Sequence, residues 1–552
     1  MSLSLRRRID SISPPQWEMI CRWLPVVVFA VYAVLPTKNY YWDGVSFAQD
    51  IEQAGGFGSP WFWHSLIRPN HLLYDSVGYF VWIAVRSLGL QVRAIAVLQA
   101  INMVLAAVCA GILQRTLLRL TQSAYLSTML TLLFAFSALF WRFATDADAY
   151  IPSVLLLVAA FHALCTSSKP RPLLVGILHV GAILIHQLAI FFFPAAALGV
   201  YLKGGRRSLL QYSALAAGVT LPGYYAGFWL QQRSTGLGTF VRWLTFHSPD
   251  VTFTFTLSKN LAITLLNYPR LFFGGTGHLL QFFGPFMLVT FFLLAMALGA
   301  LLTRTLRHRE ELRLLHFRLA PTVPLRMAVV WLATYAVFLF FWLPWNTFYK
   351  LFCLPAIIVI VALVFAEYRG PRRYRLALFV ATMALANLAF YIFPYSRPDY
   401  NQALRFAHRM GQVWPQGTVV YYSDFIVDDW YIRYFNPRTT WKQIDPVNGA
   451  ANFAQDAERD LAAGHEVWVD GTTAAVLVQS WPGVTAHFNA AQEDEFPKHP
   501  IRFYRWSKEG PRFLSKAGLR ETLIKCRQKA LTTGYTGVHG GPRGLNQNFL
   551  TS

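Results

Sequence analysis

An α-helical polytopic membrane protein with about eleven crossings, followed by a small soluble α/β domain, is the fold that this sequence predicts. Three observations predict it. Of 552 residues, 55% are hydrophobic and only 14% charged, against about 25% charged in a typical soluble domain. The apolar residues gather into blocks such as Ala94–Leu113, which holds no charge and matches the roughly 20 residues that a helix needs to span hydrocarbon. The basic residues sit in short clusters between those blocks, as the positive-inside rule requires.

The clusters fix the threading. They are Arg6–Arg8 with Arg22, Arg115 with Arg119, Lys169 with Arg171, Lys203 with Arg206 and Arg207, Arg304–Arg326, and Arg369–Arg375. Keeping all of them inside requires an even number of crossings between neighbours. That gives spans at 20–36, 94–113, 123–141, 150–165, 172–186, 188–202, 208–229, 280–302, 327–343, 351–366 and 376–394. About 21 Lys/Arg then lie inside and about 10 outside before residue 395. Asp43, Asp50, Glu52, Asp75, Asp146, Asp148 and Asp250 all fall outside.

Two segments follow from parity. Leu72–Leu88 is read as an outer interfacial helix, because a crossing there would flip every later cluster; its Tyr74, Tyr79 and Trp82 suit an interface. Pro172–Leu202 becomes two short crossings meeting at His186–Gln187, tolerable where the junction lines a hydrated cavity. Residues 1–394 thus form the membrane domain, with an outer loop at 37–93. Residues 395–510 alternate strand-like runs (Thr418–Tyr422, Glu466–Asp470) with helix-like ones (Ala450–Ala463) and form an extracytoplasmic α/β domain. Residues 511–552 are a basic, Gly-rich tail of disordered character. The N-terminus is cytoplasmic and the protein sits in the plasma (inner) membrane. Arg6–Arg8 precede an apolar run without a small-residue cleavage site, so this run reads as an uncleaved first span.

Composition also excludes. The net charge of +22 is topological, and no patch is organised to read nucleic acid. The five cysteines are scattered, with no CxxC and no metal spacing.

Four constellations at the outer membrane edge could carry chemistry. Tyr40-Tyr41-Trp42-Asp43-Gly44 places an acid at the mouth of span one, as a general base or a helix cap; Gly44 would let the backbone turn. Arg68-Pro69-Asn70-His71-Leu72-Leu73-Tyr74 offers cations for a phosphate, or is a solvated loop entering a helix. Thr145-Asp146-Ala147-Asp148-Ala149-Tyr150 offers two carboxylates for a divalent cation, a sugar hydroxyl or a helix cap. His186-Gln187 is a polar break in apolar surroundings, functional or merely a satisfied core pair. Lys350 adds a cation at the same edge, for phosphate or simple snorkelling.

Together these phrases resemble those of the GT-C membrane glycosyltransferases, and within them the protein O-mannosyltransferase-like group. Asp43 stands like their acid after span one. Arg68 to Tyr74 is similar to their H-P-P-G-Y-P-L-Y. Phe140-Trp141-Arg142-Phe143-Ala144 with Ala147-Asp148-Ala149-Tyr150 is similar to F-W-x-x-A-x-x-A-E-x-Y, and Ile185-His186-Gln187-Leu188 resembles N-H-L. Asp148 replaces a common Glu, His71 replaces Gly or Pro, and WWDYG is absent. The likeness in residues covers roughly the first 200 positions.

The resemblance implies sugar transfer from a polyprenyl-phosphate donor, entering from the bilayer, to an extracytoplasmic glycan, lipid or protein hydroxyl, with inversion. Asp43 would be the base and Asp148 would orient the acceptor or the sugar. Arg68, His71, His186 and Lys350 would hold the phosphate, and Tyr74, Asp146 and Tyr150 would bind substrate. A monophosphate leaving group held by cations needs no metal, although Asp146 and Asp148 could take a divalent ion. The rivals are a multi-pass transporter, a transferase using another lipid donor, and a non-catalytic scaffold. The threading is testable: reporters fused at residues 316 and 430 should report opposite sides of the membrane, and finding both cytoplasmic contradicts it.

Overall fold

A computed structural model describes residues 14–59, 61–245, 253–275, 321–366, 373–422, 429–444, 450–480, 482–496 and 499–507, with single positions between 289 and 300. The chain divides into two compact units, with the division between Ser396 and Arg397. The predicted span at 280–302 and the tail at 511–552 lie largely or wholly outside the described residues.

The first unit is helical: α1 (Pro14–Val34), α2 (Trp42–Gln53), α3 (Phe62–Leu66), α4 (Tyr74–Ser87), α5 (Ala94–Thr121), α6 (Ala124–Ala135), α7 (Ala138–Ala144), α8 (Tyr150–Thr166), α9 (Pro172–Ile185), α10 (Phe193–Gln232), α11 (Leu237–Leu244), α12 (Leu257–Asn267), α13 (Val323–Phe341), α14 (Leu354–Phe365) and α15 (Arg373–Asn387). Of the predicted spans other than 280–302, those at 20–36, 94–113, 150–165, 172–186, 208–229 and 327–343 each fall largely on one of these helices, whereas 123–141 runs across α6 and α7, and 188–202, 351–366 and 376–394 include short non-α turns. Among the described residues, Ala94–Thr121, Gln187–Gln232, Val323–Phe341, Phe348–Phe365 and Arg375–Tyr395 are long and apolar enough to cross a bilayer. α6 and α7 form a further stretch bent by 66°. The chain is a multi-pass membrane protein.

α5 is central and packs against α1, α2, α6 and α8. Its first part, Ala94–Leu113, carries no charge and so can pack against several neighbours at once. Contact with α1 is close: a Cβ on Gly111 would come within 2.9 Å of Pro25.

The expected hairpin is present. α9 ends at Ile185, His186 is extended (φ −148°, ψ 115°), and a tight turn of helix at Gln187–Phe192 leads into α10. α10 breaks at Gly205, whose φ of +66° favours glycine, beside the basic cluster Lys203, Arg206 and Arg207. Gly176 packs on Leu215, and Ile183 accepts from the Tyr224 hydroxyl (3.2 Å). α9 and the second half of α10 therefore run in the same direction, as three successive crossings require. Within Leu72–Leu88, Tyr74–Ser87 forms α4, which lies against α2 and α5.

The second unit holds a five-stranded sheet. Its strands are β1 (Val419–Tyr422), β2 (Thr440–Gln443), β3 (Val467–Asp470), β4 (Phe488–Phe496) and β5 (His499–Trp506), in the order β2-β1-β3-β5-β4. β1 pairs in parallel with β2 and β3, and β5 pairs antiparallel with β3 and β4. Alternate residues of β1 enter two separate cores: Val419 and Tyr421 on one face, Val420 and Tyr422 on the other. Both faces are therefore covered, by helices Gln402–Val413, Asp429–Phe435, Ala450–Ala462 and Gly471–Ser480.

Candidate active site

Two amides of α5 assemble the site. Gln99 and Asn102 lie three residues apart and so share a helix face. Gln99 Nε2 donates to the carbonyls of Thr37 (2.9 Å) and Thr145 (2.8 Å); Asn102 Nδ2 donates to those of Asp146 (2.8 Å) and Asp148 (2.7 Å). The loop before α2 and the loop before α8 are thereby tied to one helix.

Asp146 joins those loops directly. Its buried carboxylate accepts from Tyr41 N–H (2.8 Å), Arg142 (2.5 Å) and Ala147 N–H (2.8 Å). Arg142 also donates to the Asn39 carbonyl and lies 5.1 Å from the Tyr395 ring centre. Asp146, expected to bind substrate or a metal, is fully buried here with both oxygens accepting hydrogen bonds. Among the described residues, no group of three or more His, Cys, Asp and Glu converges as metal ligands.

Gly44 has a different role from the expected turn. It sits inside α2, and a Cβ there would lie 2.4 Å from the Ala147 carbonyl oxygen. That contact brings Asp43, in the first turn of α2, up to Asp148. Asp43 remains partly exposed. Asp148 is fully buried, and among the described residues neither of its carboxyl oxygens has a hydrogen-bond partner. Burial drives Asp148 well above the usual carboxylate range, and the charges of Asp43 and Asp146 add to this. Loss of hydration likewise lifts Asp43 to about 7, with Arg68 opposing and Asp146 reinforcing. A carboxyl that titrates near neutrality suits a general base.

The Arg68–Tyr74 phrase docks onto the hairpin tip: Gln187 N–H donates to the Asn70 carbonyl (2.9 Å) and Leu73 N–H to that of Leu184 (2.9 Å). The His71 and His186 rings meet edge to face at 4.6 Å, and Phe47, four residues beyond Asp43, lies 5.0 Å from His71. Tyr150, buried, packs 5.0 Å from His186. Tyr74 is buried with its hydroxyl unpartnered among the described residues. Asp43, His71, Tyr74, Asp148, Tyr150 and His186 thus belong to one connected site.

The cations behave differently from expectation. Arg68 is held by Asp50 (Nε to Oδ2, 3.1 Å) and by the buried Asp75 (3.3 Å), so its charge is already balanced by two carboxylates. Burial and the Arg68 charge push His71 down to about 3, which leaves it neutral at physiological pH. His186 Nδ1 accepts from Leu188 N–H (3.2 Å), so a neutral ring carries its proton on Nε2 as a donor. Lys350 is buried, and its ammonium donates to the Pro344 and Asn346 carbonyls (both 2.8 Å). Burial was not foreseeable from a sequence position at the membrane edge, and in this structure Arg68, His186 and Lys350 each already have a protein partner.

The comparisons now bear on this arrangement. No family model matches the sequence, and no curated protein matches it. Over 90% of this chain, the structure is similar to ArnT from Cupriavidus metallidurans bound to undecaprenyl phosphate, at TM-score 0.55 and 11% identity and across 100% of that chain. The apo form of that protein gives 0.54 and 11%, over 90% of this chain and 99% of that one. This chain shares the fold of that ArnT. An Archaeoglobus fulgidus oligosaccharyltransferase in complex with Zn and sulfate scores 0.44 at 12% identity, over 87% of this chain and 72% of that one.

Gln99, Asn102, Asp75 and Tyr349 also belong to this region, although no motif in the sequence singles them out. Asn102 carried a signal, since a polar residue in the charge-free stretch Ala94–Leu113 is rarely idle. Prediction: Gly44→Ala overpacks the contact between α2 and Ala147, costing about 1–3 kcal/mol or forcing Asp43 away from Asp148. Thermal unfolding of the purified variant checks this, and a variant with unchanged stability and activity contradicts the close approach.

Proposed function

We propose that this protein is a glycosyltransferase that moves a sugar from a polyprenyl-phosphate donor to a hydroxyl on the extracytoplasmic face. The observation that carries the reading is the confrontation of Asp43 with the unpartnered, buried Asp148, beside His186 at the break of the α9–α10 hairpin. The fold shared with an ArnT that binds undecaprenyl phosphate supports the choice of donor. The N-terminus lies in the cytoplasm and the sheet-bearing unit outside, in the inner membrane.

The chemistry is one displacement. Asp43 takes the proton of the acceptor hydroxyl as its oxygen bonds to the anomeric carbon; the bond from that carbon to the phosphate oxygen breaks, and polyprenyl phosphate leaves with the electron pair. Attack opposite the leaving group inverts the centre. Asp148, kept protonated by burial and by Asp43, donates a hydrogen bond to the sugar or the acceptor. His186 Nε2–H donates to the departing phosphate, and Arg68 supports it from its pair of carboxylates. Tyr74 and Tyr150 line the substrate's place.

Two outcomes test this. Asp43→Asn should lower transfer at least about 100-fold while membrane insertion is kept. Because the base works only when ionised, wild-type kcat/KM should rise with pH through about 7 rather than near the ordinary carboxylate value. Full activity of the variant in a lipid-linked sugar assay removes Asp43 from the mechanism. His186→Ala should raise the KM for the lipid donor more than that for the acceptor, and unchanged donor KM counts against the phosphate contact.

A further inference from the structure

The loop between α13 and α14 is held far more firmly than a surface turn needs. Leu343 adopts φ +56°, a conformation that a branched side chain resists. Lys350 Nζ donates to Pro344 O and Asn346 O, and Asn267 Nδ2 donates to Pro344 O (3.1 Å) and Trp345 O (3.0 Å). Asn346 Oδ1 accepts from Phe348 N–H (2.8 Å) and Tyr349 N–H (3.2 Å).

This framework fixes two rings. Phe348 packs 5.0 Å from Tyr41 and 5.3 Å from Phe143, which closes the loop against the strand of chain leading to Asp43. Tyr349 is stacked on the buried Trp342 at 5.3 Å and 13°, with Tyr150 and His186 edge-on at 6.1 and 6.2 Å. Trp342 backs one face of the Tyr349 ring. Tyr349 nonetheless stays only half-buried, and it lies within electrostatic reach of both Asp43 and Asp148. A rigid aromatic face beside two carboxyl groups is the combination that a sugar ring needs: its C–H face is apolar and its hydroxyls seek acceptors.

We propose that Tyr349 is the platform on which the ring of the transferred sugar lies, and that Lys350 is a positioning residue that holds the platform in place. This rests on the glycosyl-transfer reading above and names the part of the donor that Tyr349 recognises.

The test compares two probes on the full chain in nanodiscs: a short-chain polyprenyl-phosphate hexose, and the same polyprenyl phosphate without sugar. Tyr349→Ala should weaken binding of the sugar-bearing lipid about tenfold and leave the bare lipid phosphate within about twofold. Tyr349→Phe, which keeps the ring, should bind the sugar-bearing lipid within about threefold of wild type and controls for folding. Lys350→Met should follow Tyr349→Ala for the sugar-bearing lipid, with no further loss when the two are combined. Equal weakening of both lipids, weakening of neither, or a Tyr349→Phe as impaired as the alanine variant overturns the platform. A wild-type chain that binds neither lipid and transfers no sugar sinks the glycosyl-transfer reading itself, and this inference with it.

Discussion

The buried carboxylate of Asp146 accepts two backbone N–H groups and the Arg142 guanidinium, and through them it clasps the loop entering α2 to the loop entering α8. Irregular backbone at the edge of a bilayer survives only where its polar groups are satisfied internally. Gln99 and Asn102 complete that satisfaction from α5 by binding four carbonyls. Removing one partner from a buried ion pair of this kind typically costs about 3–5 kcal/mol. With the clasp closed, Gly44 packs against Ala147, and Asp43 lies near enough to Asp148 for their charges to interact.

That geometry sets the electrostatics. Five carboxyl groups (Asp43, Asp50, Asp75, Asp146 and Asp148) share the region with the guanidinium groups of Arg68 and Arg142, and both are already engaged. The surplus is negative and poorly hydrated, so Asp43 and Asp148 are pushed towards their protonated forms. A carboxyl that titrates near neutrality can accept a proton from a hydroxyl, and a neighbour that stays protonated can donate a hydrogen bond. The histidines add neutral polarity rather than charge. The site is therefore better built for activating and orienting a hydroxyl than for gripping an anion by charge alone.

Much of this was legible in the chain. Parity of the basic clusters demanded two crossings meeting at His186–Gln187 in a stretch long for one helix and short for two, and a break lies there. Asp43, Asp148, His71 and His186 stood out as polar residues at the mouths of apolar spans, each with a bland alternative as a cap, a loop residue or a core histidine, and the structure groups them in one region. The roles of Asp146, Arg68 and Lys350 were not legible. Each looks like a reactive group in sequence and is neutralised by partners chosen in three dimensions: Tyr41 lies 105 positions from Asp146, and Asp50 lies 18 from Arg68. Lys350 is bound by carbonyls, which every residue has and which carry no signature. Tyr349 was missed for the opposite reason, since one more aromatic in a chain that is 16% aromatic stands out only once Trp342 is seen behind it.

The most direct measurement is an electron cryomicroscopy map of the full chain in nanodiscs with a non-transferable polyprenyl-phosphate sugar. The account predicts density for the sugar between Asp43 and Asp148, with the phosphate on the His186 side. Density for that lipid elsewhere, or a map in which the Asp43 and Asp148 carboxyl groups point into separate surroundings, would contradict it.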